Sequence, residues 1–129
     1  MKAFHLNREA EHELGFSQAV AAGSLLYISG TVSIDDQFQI LEADNVEGQY
    51  HVIYRQLKAT LEAHGLGFAN VVKETIFTED LDSFFATGNA VRKKYYEGLS
   101  YYPATTAVEV RKIGFPGHLV EIEMIAQLA

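Results

Sequence analysis

The sequence predicts an α+β fold in which about six strands form a sheet and two helices cover one of its faces. Strand-like segments occupy both ends of the chain, a long helical pattern follows the first of them, and a second helical pattern precedes the last two strands. The predicted order is β-β-β-α-β-α-β-β. Because no Pro-, Gly- or Ser-rich linker divides the 129 residues, we expect one domain, 1–129.

The first third of the chain has the pattern of strands. Residues 16–20 form a short run, a turn follows at residues 22–24, and residues 25–29 resume the run, which is typical of a hairpin. Gly30, Thr31 and Val32 are expected to extend or kink the second strand.

An apolar stripe predicts the long helix, which starts at Asn45 and ends near His64. Its members recur every three or four residues: Val46, Tyr50, Ile53, Leu57 and Leu61. Asp44 or Asn45 can cap the start, and Gly65 suits the end because glycine adopts the left-handed conformation freely.

The second half of the chain predicts a strand, a helix and two more strands. The strand covers residues 70–77, the helix follows Asp80 or Asp82, and the last two strands cover residues 105–110 and 119–128. Gly88 falls inside the helix, where glycine is unfavourable by about 1 kcal/mol relative to alanine, so a close packing contact is expected there.

The last strand carries apolar residues on both faces. One face combines Leu119 and Ile125 with Glu121 and Glu123. Two helices can cover only the other face, so this partly apolar face is expected to pack against another subunit.

Composition and motifs argue against several classes of function. Seventeen acidic against ten basic residues give a net charge of −7, which repels nucleic acids and anionic membranes. The chain has no cysteine, and its five histidines have no metal-ligand spacing, so neither a disulfide nor a metal site is predicted. No nucleotide-binding glycine motif is present, and no cofactor is expected. The absence of a signal-like or membrane-length apolar segment favours a cytoplasmic protein.

Glu121 and Glu123 are the carboxylates with the clearest catalytic potential. They lie two residues apart, on the same face of the last strand. The pattern alone favours a solvated face, or ion pairs with Lys73, Arg111 or Lys112. If another subunit covers this face, burial would instead raise the pKa of a carboxylate and suit it to general acid–base catalysis.

Four segments closely resemble the Rid/YjgF family of reactive-intermediate deaminases, in order along nearly the whole chain. They are Gly15–Val20, Leu26–Gly30, Tyr102–Val110 and Val120–Ala126, and Val71–Leu81 matches the family's central strand and helix entry. The resemblance implies a chorismate-mutase-like fold and a homotrimer with inward-facing sheets. It also implies small-molecule clefts between subunits. The best-known members hydrolyse imines and enamines to a 2-oxo acid and ammonia, without a metal or cofactor.

The resemblance also implies which residues form the site. Glu121 matches the carboxylate thought to orient or activate water. The matching substrate-binding positions are Phe16, Ser29, Gly30, Asn89, Tyr102, Thr105 and Ala107. Phe16 lacks the phenolic hydroxyl of the family's aromatic residue, and Ala107 replaces a cysteine.

Thr105 is the most serious departure from the family pattern. The deaminases have an arginine there, and its bidentate fork holds the substrate carboxylate. Arg92, Arg111 and Lys112 are the candidates for a displaced cation. Arg111 would lie about 20 Å from Thr105 on an unbroken strand, too far to replace the arginine within one subunit.

Two functions therefore stay open, and a third ranks last. The first is hydrolysis of an imine or enamine that differs from the usual carboxylate-bearing substrates. The second is a non-catalytic trimer that binds a small metabolite. Ribonuclease activity ranks last because the net charge of −7 opposes RNA binding. The physiological ligand is not predicted by the sequence.

Overall fold

A six-stranded mixed sheet organises the chain in the computed structural model, which describes residues 1–129. Its strands are β1 (Lys2–Phe4), β2 (Ala19–Ala22), β3 (Leu25–Thr31), β4 (Val71–Thr78), β5 (Ala104–Glu109) and β6 (Val120–Gln127). Their order across the sheet is β1-β2-β3-β6-β4-β5. The β4–β5 pair is parallel, and all other neighbours are antiparallel. The predicted α+β class and six-stranded sheet are confirmed.

The helices lie in two long segments and one short one. They are α1 (Arg8–Leu14), α2 (Val46–Glu62), α3 (Leu81–Ser83) and α4 (Asn89–Tyr95), with a π turn (Phe84–Gly88) joining α3 to α4. Asn45 caps α2 by accepting a hydrogen bond from the Gly48 N–H. The second predicted helix is therefore a single helical segment, residues 81–95, in which the π turn stands between α3 and α4.

Gly88 lets the second helical segment pack closely against α2. A Cβ atom at this position would lie 2.3 Å from Cζ of Tyr50, which is fully buried in α2. The missing side chain lets the two helical segments approach each other. This is the close packing contact that the sequence predicted at Gly88.

The N-terminal region differs from the prediction. The predicted order has three strands before the long helix, but only two of them were located; the third is β1, at the N-terminus. Helix α1 was not predicted, and β2 starts at Ala19 rather than at Phe16. The carboxylate of Glu11, only 2% exposed, accepts hydrogen bonds from the N–H groups of Asn7 and Gln18. A buried polar residue anchors this segment in place of an apolar stripe, so the sequence shows no apolar period that would predict the helix.

The core lies between the sheet and the helices. Helix α2 contributes Tyr50, Ile53, Leu57 and Leu61, and β6 contributes Val120, Ile122, Met124 and Ala126, all at most 2% exposed. The opposite face of the sheet has no covering layer, and it exposes apolar side chains such as Tyr27 and Val108. None of the helices combines the length and the apolar character of a membrane-spanning segment.

Candidate functional site

A cleft of about 910 Å³ contains four of the predicted site residues. Phe16, Ser29, Gly30 and Glu121 all line it. They come from the segment before β2, from the irregular end of β3 and from β6. Strand β3 extends to Thr31, and its register against β6 shifts between Ile28 and Thr31, so the end of the strand is both extended and irregular where Ser29 and Gly30 enter the cleft.

Glu121 lies directly against Gly30. A Cβ atom on Gly30 would stand 2.8 Å from Cδ of Glu121, so the glycine leaves the space that the carboxylate occupies. Burial, followed by repulsion from Glu123, raises the pKa of Glu121 above its ordinary value of 4.5. A half-buried carboxylate with a raised pKa can accept or return a proton during catalysis.

Ser29 and Phe16 form the neighbouring wall of the cleft. The Ser29 hydroxyl donates to the carbonyl of Ser17 at 2.5 Å, which leaves the oxygen free to accept a further hydrogen bond. The ring of Phe16 stacks on Phe38, with 6.5 Å between the ring centroids. Phe38 was not predicted as part of the site, because nothing in the sequence pattern connects its loop to Phe16.

Asn89, Tyr102 and Thr105 meet at a second location, around the guanidinium of Arg92. Nη2 of Arg92 donates to Oγ1 of Thr105 at 2.6 Å, and Nη1 donates to Oδ1 of Asn89 at 3.2 Å. The centroid of the Tyr102 ring lies 5.6 Å from the Arg92 guanidinium carbon. Of the three candidates for a displaced cation, Arg92, Arg111 and Lys112, it is Arg92 that contacts Thr105.

Glu74 neutralises that guanidinium. Nε of Arg92 donates to Oε1 of Glu74 at 2.6 Å, and the Tyr54 hydroxyl donates to Oε2 at 2.7 Å. Burial raises the pKa of Glu74, although Arg92 and Tyr54 oppose the shift. For Arg92, burial alone lowers the pKa, but the Glu74 carboxylate outweighs this effect and the net shift is upward.

Sequence reasoning did not identify Glu74 or Tyr54. Glu74 occupies an inward-facing position of β4 and is fully buried, beside apolar neighbours such as Ile76. An acidic residue at a core position of a strand is a signal that it must have a buried partner.

The register of the sheet separates the two groups of site residues. Thr105 is paired with Glu74 on the helix-covered face, and Ala107 is paired with Ile76 on the same face. Glu121 is paired with Phe77, which lies three residues beyond Glu74 and so faces the uncovered side. Within one chain, Glu121 and Thr105 lie on opposite faces of the sheet.

The other groups named from the sequence lie apart from these sites. Lys73 does not pair with Glu121; its ammonium donates to Oγ1 of Thr106 at 2.7 Å. Arg111 and Lys112 are exposed residues beyond the end of β5. No group of three His, Asp or Glu side chains is arranged to hold a metal ion.

Comparisons with known proteins give a consistent result. The family model described as endoribonuclease L-PSP matches residues 7–128. A RutC family protein of Pyrococcus horikoshii is 35% identical over 98% of both chains. The 2-iminobutanoate/2-iminopropanoate deaminase of Salmonella typhimurium is 34% identical over 86% of this chain and 85% of that protein. Among solved structures, a YjgF family member from Mycobacterium tuberculosis has a TM-score of 0.81 at 28% identity over 98% of both chains.

Proposed function

This chain belongs to the Rid/YjgF family, which the endoribonuclease L-PSP model describes, and on that basis we propose that it hydrolyses a small imine or enamine to a carbonyl compound and ammonia. Relatives named as imine deaminases support a role in imine deamination. The observation that carries the proposal is the Glu121 carboxylate, which lies against Gly30 in the cleft with a raised pKa.

The proposed reaction assigns a base role to Glu121. Its carboxylate accepts a proton from a water molecule as the water oxygen attacks the carbon of the imine, whose nitrogen is protonated. Glu121 then gives this proton to the nitrogen of the resulting carbinolamine. The C–N bond breaks, the C=O bond forms, and the proton of the carbinolamine hydroxyl passes to the Glu121 carboxylate and from there to the solvent, which supplied the proton of the imine nitrogen. One imine and one water give one carbonyl compound and one ammonia. Ser29 can accept a hydrogen bond from the imine N–H, and Phe16 excludes water from one side.

We further propose that the working unit is a homotrimer with its clefts between subunits. Two features of the chain support this assembly: the uncovered sheet face exposes Tyr27 and Val108, and Glu121 and Thr105 face opposite sides of the sheet. A second copy packed on the uncovered face would bring its own Thr105 group toward Glu121. Such packing would also bury the exposed apolar side chains.

The test is imine hydrolysis by the purified protein. Imines are generated from several substrates by an oxidase, trapped with semicarbazide, and the loss of trapped adduct is compared with a control lacking the protein. We expect Glu121→Gln to lower the rate by about 100-fold or more, a typical loss for an essential general base. Glu47→Gln, which removes an exposed charge outside the cleft, is the matched control. Hydrolysis that survives Glu121→Gln in a folded protein would refute the role of Glu121.

A second candidate function is non-catalytic binding of a small metabolite. The pairing of Arg92 with Glu74 favours it, because the guanidinium beside Thr105 is not free to hold a substrate carboxylate as the deaminases do. A protein that binds ligands in the cleft but hydrolyses no imine of the panel would support this alternative. Ribonuclease activity is not proposed, since the acidic chain and its acidic cleft disfavour a polyanion.

A further inference from the structure

The charges around the cleft are strongly unbalanced. Five carboxylates line it, and Arg55 is the one basic side chain among its lining residues. The acidic members are Asp35, Asp36, Glu121 and Glu123, together with Glu11, whose buried carboxylate is paired with His5 at 2.9 Å and accepts from the N–H groups of Asn7 and Gln18. Glu121 and Glu123 project from the same face of β6, so their charges reinforce each other at the proposed reaction centre.

The second group of site residues adds no positive charge to balance them. Arg92 is only 6% exposed, and its guanidinium is held by Glu74, Asn89 and Thr105 through one hydrogen bond each. Glu74 is fully buried and carries the compensating charge. An anion approaching Thr105 therefore meets a pair with no net charge, even where a second copy of the chain brings that residue close to Glu121.

We infer that the cleft selects a neutral or cationic imine, such as one derived from an amine, over an imine that carries a carboxylate. This inference rests on the proposed function and specifies its substrate class. A substrate carboxylate in the cleft would be repelled by Glu121 and Glu123, and this repulsion is strong because partial burial excludes some of the water that screens charges. A protonated imine gains the opposite interaction, and its hydrolysis still balances: one iminium ion and one water give one carbonyl compound and one ammonium ion.

Binding of three matched probes tests the inference independently of catalysis. The probes share an acetyl group and differ in charge: 2-oxopropanoate is an anion, its amide is neutral, and aminoacetone is a cation. Dissociation constants are measured with the intact assembly at low salt. We expect aminoacetone to bind about tenfold or more tightly than 2-oxopropanoate, with the amide between them, and the ratio to shrink as added salt screens the charges.

Charge variants identify the source of the selectivity. Glu123→Gln should reduce the preference for aminoacetone by roughly threefold or more, because it removes one carboxylate beside Glu121 without changing the size of the side chain. Glu47→Gln removes the same charge outside the cleft and should leave the preference unchanged. A preference that survives Glu123→Gln unchanged, or that falls equally in both variants, would contradict the assignment to the cleft.

The outcomes separate this inference from the proposed function. If 2-oxopropanoate binds as tightly as aminoacetone, or if no probe binds, charge selection is overturned. Hydrolysis of amino-acid-derived imines in the semicarbazide assay would then leave the deaminase proposal intact. Conversely, selective binding of the cation without imine hydrolysis would support the inference and remove the deaminase proposal.

Discussion

Replacing Arg92 with methionine should destabilise the protein, and the loss should depend on pH. The substitution leaves the Glu74 carboxylate fully buried without its cation, although the Tyr54 hydroxyl still donates to it. An unpaired buried charge costs about 3–5 kcal/mol, unless the group takes up a proton. From an ordinary pKa of 4.5, protonating Glu74 at pH 7 costs at most about 3.4 kcal/mol.

The cost of protonating Glu74 determines how much stability the variant loses. The lost hydrogen bonds to Asn89 and Thr105 add about 1 kcal/mol, so we expect Arg92→Met to lower the free energy of unfolding by about 4 kcal/mol at pH 7. At pH 5 the protonation of Glu74 costs only about 0.7 kcal/mol, and the expected loss falls to about 2 kcal/mol. Arg92 opposes the upward shift of the Glu74 pKa in the wild type, so its removal raises that pKa further; the folded variant takes up the proton at higher pH, and its loss of stability relative to wild type shrinks as the pH falls.

Urea unfolding at fixed protein concentration measures this loss at both pH values. The double variant Glu74→Gln/Arg92→Met is the control, because the amide oxygen still accepts from Tyr54 and no buried charge is left. Its stability should be at least about 2 kcal/mol above that of Arg92→Met at pH 7, and its difference from wild type should change less with pH. A loss below about 1 kcal/mol for Arg92→Met, or a large loss independent of pH, would refute the account of Glu74 as a charge neutralised by Arg92.

Three further outcomes follow from the cleft and the core. Because the base is active when deprotonated, kcat/KM should rise with pH through an apparent pKa above 4.5. Glu123→Gln should move this rise to lower pH, and a rise that does not move would exclude repulsion between Glu123 and Glu121 as the cause of the raised pKa. Gly30→Ala would place a Cβ 2.8 Å from Cδ of Glu121, so kcat should fall by about tenfold or more while the urea midpoint changes little; full activity would contradict the contact. Gly88→Ala would place a Cβ 2.3 Å from the Tyr50 ring, and we expect a loss of about 1–3 kcal/mol in urea unfolding, whereas a neutral effect would mean that the helices separate easily.

Periodic apolar patterns made the main elements predictable. The stripe that ends at Leu61 identified α2, and the alternation from Leu119 to Leu128 identified β6, because burial of one face forces a fixed period on each sequence. Helix α1 was missed for the opposite reason. It is anchored by the buried Glu11 carboxylate, and a single polar anchor leaves no period in the sequence.

The site was predictable only in part, and its residues were identified through the family resemblance rather than through periodicity. Ser29 and Gly30 are neighbours at the irregular end of a strand, and Glu121 reaches them because β3 and β6 are adjacent in the sheet. The contacts of Arg92 with Glu74 and Thr105 were not predicted, although only 18 and 13 positions of the chain separate these residues. No periodicity relates these positions, because their contact depends on how α4 docks against β4 and β5.

The charge at Thr105 therefore cannot be judged from that position alone. A hydroxyl in place of an arginine suggests that the cation is missing, yet a guanidinium from α4 lies 2.6 Å from Thr105. Its presence in turn suggests an anion site, yet Glu74 binds the same guanidinium at 2.6 Å and cancels its charge. What a ligand meets is the sum of the charges in contact, and here that sum is zero beside Thr105 and negative around Glu121. Both values favour a substrate without a carboxylate.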